Sequence, residues 1–237
     1  MKKQKLSVFI IIGLFAIIML ILIFYTAGCN EKAVYTSAGA MKFDTIILDA
    51  GHGGLDGGAV GLDKTEEKDI NLQITIKLKS ILELYGYKII LTRSNDDSIH
   101  DENAKTVRQQ KVSDIHNREK IIKSYPDAIF ISIHQNKFYD SSVSGAQVFY
   151  SKNNELSVNL AQNISSSIVT HIQPDNPRQI KKSGTEIYLL YHSQVPSVMV
   201  ECGFLSNYND LSKLKNDAFQ KRLALAIAEG IVNYSKG

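Results

Sequence analysis

Short apolar runs separated by helical patterns constrain the fold of residues 44–237 more than any other feature of the sequence. Several runs are apolar at successive positions, which suits strands buried on both faces of a sheet. Strands that alternate with helices predict an α/β domain whose largely parallel sheet lies between helical layers. The predicted strands are TIILD (45–49), YKIILTR (87–93), AIFISIH (128–134), GAQVFY (145–150) and SVMVE (197–201).

The helical patterns and the bulk composition fit one domain with a proper core. Apolar residues from Ile70 to Leu82 share one face of a predicted helix, and Gly86 offers a stop. Further helices are predicted over 113–124, 154–171 and 209–234. The net charge of +3 is too small to indicate nucleic-acid binding. Two cysteines without a CxxC pair indicate neither a disulfide framework nor a structural zinc cluster.

The N-terminus adds a membrane-directed segment. Three lysines precede Leu6–Tyr25, a run without charge, and about 20 apolar residues suffice for a helix to cross a bilayer. This predicts an uncleaved membrane anchor over 1–28 and a linker over 29–43, with the lysines on the cytoplasmic side. Lipidation at Cys29 and cleavage near Ala38–Ala40 are the alternatives. All three place the domain outside the cytoplasmic membrane.

A histidine in a glycine-rich loop, IILDAGHGGLDGGAVG, points to metal chemistry. Asp56 interrupts the dinucleotide pattern, and no lysine follows Gly58 as a phosphate-binding loop requires. Ligands collect at the carboxyl ends of strands in such sheets, where His52, His134 and Glu201 are expected. A catalytic zinc takes three protein ligands and leaves a position for water, and the two histidines can supply two of them.

A carboxylate is expected as the third ligand. KTEEKDINL offers Glu66, Glu67 and Asp69 at the start of a helix, where acids are also favoured by the helix dipole. Chemistry alone does not choose between Glu66 and Glu67. Glu201 ends a predicted apolar strand, and burying a carboxylate there is unfavourable unless the group has a function. It is the candidate for the proton transfers that a metal hydrolase needs.

Four motifs together resemble one enzyme family. DAGHGGLDGGAVG, EKDINL, SIHQN and VMVECGFLSN resemble, in order and spacing over Ile46–Tyr234, the zinc-dependent N-acetylmuramoyl-L-alanine amidases of the bacterial envelope, and its sporulation members in particular. The resemblance implies a mixed sheet sandwiched by helices. It also implies that His52, Glu67 and His134 bind Zn²⁺ and that Glu201 is the catalytic acid.

The same resemblance implies a function in the cell wall. The substrate would be peptidoglycan, cut between N-acetylmuramic acid and L-alanine during muramic-δ-lactam formation in the spore cortex, and hence in germination. The enzyme would act at the outer face of the membrane, on the forespore side, and an envelope activator protein stays open as a partner. The alternatives are another zinc peptidoglycan hydrolase, namely a carboxypeptidase or deacetylase, and a non-catalytic cell-wall-binding module.

Further residues are weighed for supporting roles. Arg178, Lys181 and Lys182 could bind the carboxylates of the stem peptide, although an ordinary solvated loop explains them slightly better. Periplasmic members of the family that the sequence resembles often carry a helical insertion that plugs the site. No inserted helix is expected between Phe149 and Glu201 beyond the one at 154–171, so the resemblance implies an open site.

Residues around the expected ligands complete the predicted site. Asp49 and Asn136 are expected beside the ligands, where Asp49 could orient the second nitrogen of His52. Asp56 could do the same, and a turn-forming role suits it as well. Cys202 is expected to be a buried small hydrophobe rather than a nucleophile.

Overall fold

The computed structural model describes residues 42–236 together with Met19. The predicted anchor (1–28, Met19 apart) and most of the predicted linker (29–43) lie outside the described residues. Lys42 and Phe43, the last residues of that linker, join the domain, since the Phe43 ring stacks on Tyr234 at a centroid distance of 5.7 Å. Within the described part of the chain, no helix combines the length and apolarity needed to cross a membrane.

A single six-stranded sheet has the order β2-β1-β3-β6-β4-β5. Four neighbouring pairs are parallel, and β4 runs antiparallel to β6. The predicted mixed, largely parallel sheet is therefore confirmed. Its strands are β1 (Thr45–Ala50), β2 (Lys88–Leu91), β3 (Ile129–Asn136), β4 (Gln147–Tyr150), β5 (Lys181–Lys182) and β6 (Ser197–Phe204).

Helices cover both faces of the sheet. They are α1 (Glu67–Leu84), α2 (Val107–Lys123), α3 (Leu156–His171), α4 (Tyr188–His192), α5 (Tyr208–Leu214) and α6 (Asp217–Lys236). Successive β1 residues point to opposite faces. Ile46 packs in the core cluster that contains residues of α1, α3 and α6, whereas Ile47 packs in the cluster with residues of α2 and α4.

Two predicted helix boundaries were wrong because side-chain caps decide them. The helix predicted at 113–124 begins at Val107, where Thr106 and Gln109 form a capping box that satisfies the first backbone N–H groups. The helix predicted at 209–234 is split into α5 and α6. The Asn216 side chain accepts the Phe219 N–H at 3.0 Å, which starts a new helix at that point.

Two short elements were not predicted. β5 has two residues and α4 has five, both too short to show a period. The expectation of a single helix between Phe149 and Glu201 is corrected by α4. Leu189 and Leu190 of α4 are buried in the core cluster on the α2 face of the sheet. This added helix therefore packs against the sheet.

Candidate metal site

The sheet order brings the predicted site residues to one edge. β1 ends at Ala50, two residues before His52, and His134 lies near the end of the neighbouring strand β3. His134 and Glu201 are register partners on the adjacent parallel strands β3 and β6. The first residue of α1 is Glu67. The loop after β1, the start of α1 and the C-terminal halves of β3 and β6 thus supply the predicted residues. Because β6 continues to Phe204, Glu201 lies three residues before the end of its strand and not at the end that the sequence predicted.

Three of these side chains form a compact donor set. Ligand atoms of His52, Glu67 and His134 all lie within 4.8 Å of one another. The Glu67 carboxylate lies between the imidazoles, with Oε1 at 2.8 Å from His134 Nδ1 and Oε2 at 3.2 Å from His52 Nε2. Two imidazoles and one carboxylate are a donor set found in catalytic zinc sites. The residues present therefore fit the implied metal.

The buried Glu67 carboxylate is held by further donors. Its oxygens accept the backbone N–H of Ala59 at 2.8 Å and of Gln135 at 3.0 Å. Burial alone would raise the pKa of Glu67, but hydrogen bonds with His134 and His52 outweigh it and lower that pKa. The group is thus ionised, as a metal ligand must be.

The neighbouring acids are placed differently from Glu67. Glu66 occupies the position before the first residue of α1, is partly exposed, and pairs with Lys68 at 3.4 Å. Asp69 is exposed. Residue chemistry alone left the choice among these acids open, and Glu67, the residue that the family resemblance implies, is the one that joins the donor set.

Asp56, rather than Asp49, orients the second nitrogen of His52. Asp56 Oδ2 lies 2.9 Å from His52 Nδ1, and Lys111 Nζ lies 2.7 Å from Asp56 Oδ1. Burial alone would lower the pKa of His52, yet the hydrogen bonds with Asp56 and Glu67 raise it to about 9. Asp49 is buried and pairs with Arg118 at 2.5 Å, so its expected contact with the imidazole is not made.

Two glycines of the loop permit the close approach of these groups. A Cβ on Gly51 would lie 2.2 Å from His134 Nε2. Gly58 has a φ of +70°, and a Cβ there would lie 2.6 Å from both Glu67 Oε2 and His52 Cδ2. Only glycine leaves this space and adopts the left-handed backbone without strain.

Glu201 lies beside the donor set as a carboxyl group with an unusual environment. Its Oε2 is buried and has no hydrogen-bond partner in the described part of the chain. Burial raises the pKa of Glu201 to about 7, with the charge of Glu67 raising it and that of His134 lowering it. A carboxyl group with such a pKa can accept and release a proton near neutral pH.

A sequence-family comparison agrees with this site. The family model described as N-acetylmuramoyl-L-alanine amidase matches residues 46–233. The chain belongs to this amidase family. The germination-specific N-acetylmuramoyl-L-alanine amidase of Bacillus subtilis (strain 168) is 33% identical over 189 residues, which are 80% of this chain and 78% of the relative.

Solved structures of amidases share the fold. The CwlD amidase from Clostridioides difficile, solved in complex with the GerS lipoprotein, has a TM-score of 0.78 and 44% identity, covering 81% of this chain and 98% of that one. The amidase AmiC2 of Nostoc punctiforme has a TM-score of 0.69 and 30% identity, covering 83% and 98%. The predicted family and the likeness to its sporulation members are confirmed.

In this amidase, Arg178 is engaged within the protein. Its Nε and Nη2 donate to Gln147 Oε1 at 3.1 and 2.9 Å, and its Nη1 donates to the Ser144 carbonyl at 3.0 Å. Gln147 is the register partner of Glu201 on the antiparallel strand β4. Arg178 therefore braces the strand beside Glu201, a contact that sequence spacing could not reveal.

The remaining predicted residues lie on strands β3, β5 and β6. Lys181 and Lys182 form the edge strand β5, exposed and separated from β6 by β4. The Asn136 carbonyl accepts the Leu205 N–H at 2.8 Å, which ties β3 to the end of β6. Cys202 is buried, and burial raises the pKa of its thiol, so the prediction of a small buried hydrophobe agrees with its environment. A role for Arg178, Lys181 and Lys182 in substrate binding stays a prediction, as does the role of Asn136 beside the metal ligands.

Proposed function

We propose that this amidase is a zinc enzyme that hydrolyses the bond between N-acetylmuramic acid and L-alanine of peptidoglycan. The observation that carries the proposal is the donor set of His52, Glu67 and His134 beside a buried carboxyl oxygen of Glu201 that has no hydrogen-bond partner within residues 42–236. Metal-assisted hydrolysis also uses a group that transfers protons, and Glu201 lies beside the donor set where it can do so.

In the proposed reaction, His52, Glu67 and His134 hold zinc. When bound, zinc supplies Lewis acidity, which lowers the pKa of water and polarises a carbonyl oxygen. Asp56 accepts the Nδ1 proton of His52 and so leaves Nε2 directed toward Glu67. This arrangement of the chain presents the donors before any substrate arrives.

Glu201 moves the proton between the two halves of the reaction. Its carboxylate takes a proton from the attacking water as the new C–O bond forms at the lactyl carbonyl carbon. The resulting carboxylic acid then protonates the alanine nitrogen as the C–N bond breaks. The products are a carboxylic acid on the muramic residue and a free amino group on the stem peptide. A pKa near 7 suits a group that serves as base and then as acid.

The relatives support a proposal for the biological setting. Sequence identity to the germination-specific amidase of Bacillus subtilis and to the CwlD amidase supports a role in forming muramic-δ-lactam in the spore cortex. We further propose export to the outer face of the membrane on the forespore side, held by the N-terminal segment. The complex of CwlD with the GerS lipoprotein supports an envelope protein as a partner of this chain.

The decisive experiment is digestion of purified peptidoglycan, with products identified by mass spectrometry. The purified chain with zinc is expected to release stem peptides that begin with L-alanine. A chelator and Glu201→Gln are expected to abolish release, while Glu155→Gln, an exposed glutamate, leaves it unchanged. Glu201→Gln should also retain one zinc per chain, because Glu201 lies outside the donor set.

Other products would replace the assigned reaction. Release of free D-alanine would indicate a carboxypeptidase, and release of acetate would indicate a deacetylase. Intact peptidoglycan with zinc bound would indicate either the non-catalytic module or a missing partner, and addition of the envelope partner would separate these two. Loss of zinc from Glu201→Gln would contradict the division of roles between Glu201 and the ligands.

A further inference from the structure

Two buried arginines hold the backbone that carries the first metal ligand. Arg93 follows β2 and is 4% exposed, and Arg118 lies on α2 and is 2% exposed. Their guanidinium groups bind the carbonyls of three successive residues, 50–52, at the end of β1. We call this pair the carbonyl clamp. The clamp holds the loop through hydrogen bonds to its backbone carbonyls.

Arg93 connects two ligand-bearing elements with one planar group. Its Nε donates to the Ala50 carbonyl at 2.8 Å, and its Nη2 donates to the Gly51 carbonyl at 3.0 Å. The same Nη2 donates to the Lys68 carbonyl at 2.8 Å, in the first turn of α1 and next to Glu67. The guanidinium thus fixes how far the loop with His52 lies from the helix with Glu67.

Arg118 secures the same loop from the opposite helix layer. Its Nη1 donates to the Ala50 carbonyl at 2.8 Å, and its Nη2 donates to the His52 carbonyl at 2.7 Å. Asp49 and Asp114 neutralise its charge at 2.5 and 2.6 Å. Arg93, by contrast, makes no ion pair within residues 42–236, and its buried charge is met by carbonyl groups. A buried guanidinium without a carboxylate is unfavourable unless its donors are satisfied.

The loop has a conformation that needs such support. His52 has a φ of 63°, in the left-handed region that a residue with a Cβ adopts only under strain. The backbone at Gly51 lies directly against the His134 ring, since a Cβ there would fall 2.2 Å from Nε2. A shift of the loop toward β3 would therefore displace His52 and press Gly51 against the His134 ring.

We propose that the carbonyl clamp is a positioning device for the metal site. Arg93 and Arg118 are positioning residues that set the spacing between His52, Glu67 and His134, so that the site is formed before zinc binds. This inference rests on the proposed function, because it assumes that these three residues bind zinc. The clamp acts through backbone carbonyls and leaves the chemistry to the ligands and Glu201.

The test compares zinc affinity in the full chain and its Arg93→Lys and Arg118→Lys variants by competition with a chromophoric chelator. Lysine keeps the positive charge but lacks the planar guanidinium group, whose several N–H donors reach more than one carbonyl. We expect each variant to bind zinc about 10- to 100-fold more weakly, the loss typical of outer contacts to metal ligands. Leu223→Ala, in the α6 core, is the control that lowers stability without touching the loop.

Cobalt substitution supplies a readout that loss of stability alone would not change. At saturating Co²⁺ the visible spectrum reports ligand geometry, and we expect it to change in both clamp variants and to stay unaltered in Leu223→Ala. If Arg93→Lys does not fold, Arg118→Lys alone decides. Unaltered zinc affinity and an unaltered spectrum in a folded clamp variant would overturn the positioning role. Absence of zinc binding by the unaltered chain would instead overturn the proposed function itself.

Discussion

At Glu201 a carboxyl group occupies a strand position whose neighbours, Val200 and Cys202, are buried and apolar. Its unfolded pKa is near 4.5, and burial raises the folded pKa to about 7. Between these values the unfolded chain loses the proton and the folded chain keeps it. Ionisation therefore favours the unfolded state as the pH rises from 4.5 to 7.

Glu201→Gln is consequently expected to stabilise the metal-free protein at high pH. The gain in unfolding free energy should be absent below pH 4.5 and complete above pH 7, at about 3 kcal/mol or less. Urea unfolding in chelator at pH 4 and pH 8 measures it, with Glu155→Gln as the exposed control. An equal gain at both pH values would show that the raised pKa is not its source.

Gly58 gives a second prediction at the scale of one residue. Gly58→Ala would place a methyl group 2.6 Å from Glu67 Oε2 and His52 Cδ2, so zinc binding is expected to fall below detection. Gly86→Ala is the matched control, because Gly86 also has a positive φ of +90° but has nothing within 4 Å of its added Cβ. Both variants are strained in the backbone. Isothermal titration with zinc should show that Gly58→Ala loses zinc binding while Gly86→Ala keeps it. An equal loss of zinc affinity in both variants would show that backbone strain alone is the cause.

Among the elements, β1 and α2 are joined by a buried ion pair. Asp49 of β1 lies 2.5 Å from Arg118 of α2 and also accepts the hydroxyl groups of Ser132 and Thr92. Burial alone would raise the pKa of Asp49, but Arg118 and these hydroxyls lower it to about 2. The ion pair between Asp49 and Arg118 therefore stabilises the fold whenever the Asp49 carboxylate is ionised.

Asp49→Asn is expected to lower the unfolding free energy at pH 7 by on the order of 2 kcal/mol. Because the folded pKa is depressed from 3.8 to about 2, this contribution is present above pH 3.8 and is lost as the pH falls through 2. The difference from the unaltered chain should therefore shrink between pH 4 and pH 2. Denaturant unfolding across that range tests it, with Asp127→Asn as an exposed control. A difference that stays constant would contradict the linkage.

For the whole molecule, the metal would join parts that are far apart in the chain. His52, Glu67 and His134 belong to a loop, a helix and a strand that pack around one end of the sheet. Zinc bound to the folded state alone stabilises it by mass action. Burial alone would lower the pKa of His52, but its hydrogen bonds with Asp56 and Glu67 raise that pKa to about 9. Without zinc, the imidazole is therefore doubly protonated and positively charged at neutral pH.

Zinc must then displace that proton, and its apparent affinity should fall about tenfold for each pH unit below 9. When the free zinc concentration is kept the same and saturating, we expect zinc to raise the unfolding free energy by about 2.7 kcal/mol less at pH 6 than at pH 8. Thermal unfolding with and without zinc measures this difference, and chelator should remove it. Calorimetry in two buffers of different ionisation enthalpy should show about one proton released per zinc. No proton release would contradict the raised pKa.

The fold and the main site were predictable for different reasons. The central strands are apolar on both faces, so their positions follow from short runs such as 45–49 and 128–134. The site residues follow from four motifs whose order and spacing resemble those of one enzyme family. Helix starts at Val107 and Asp217 were missed because caps at Thr106 and Asn216, not apolar periodicity, set them. β5 and α4 are too short to leave a pattern.

The sequence by itself determined the α/β class, the amidase family and the residues to consider for zinc and proton transfer. Those depend on residue type and order along the chain. Only the tertiary structure decided that Asp56 rather than Asp49 meets His52, that Arg178 braces Gln147, and that Arg93 and Arg118 hold the loop. These contacts join residues from separate elements, and their partners are set by sheet order and strand register, which local patterns do not encode.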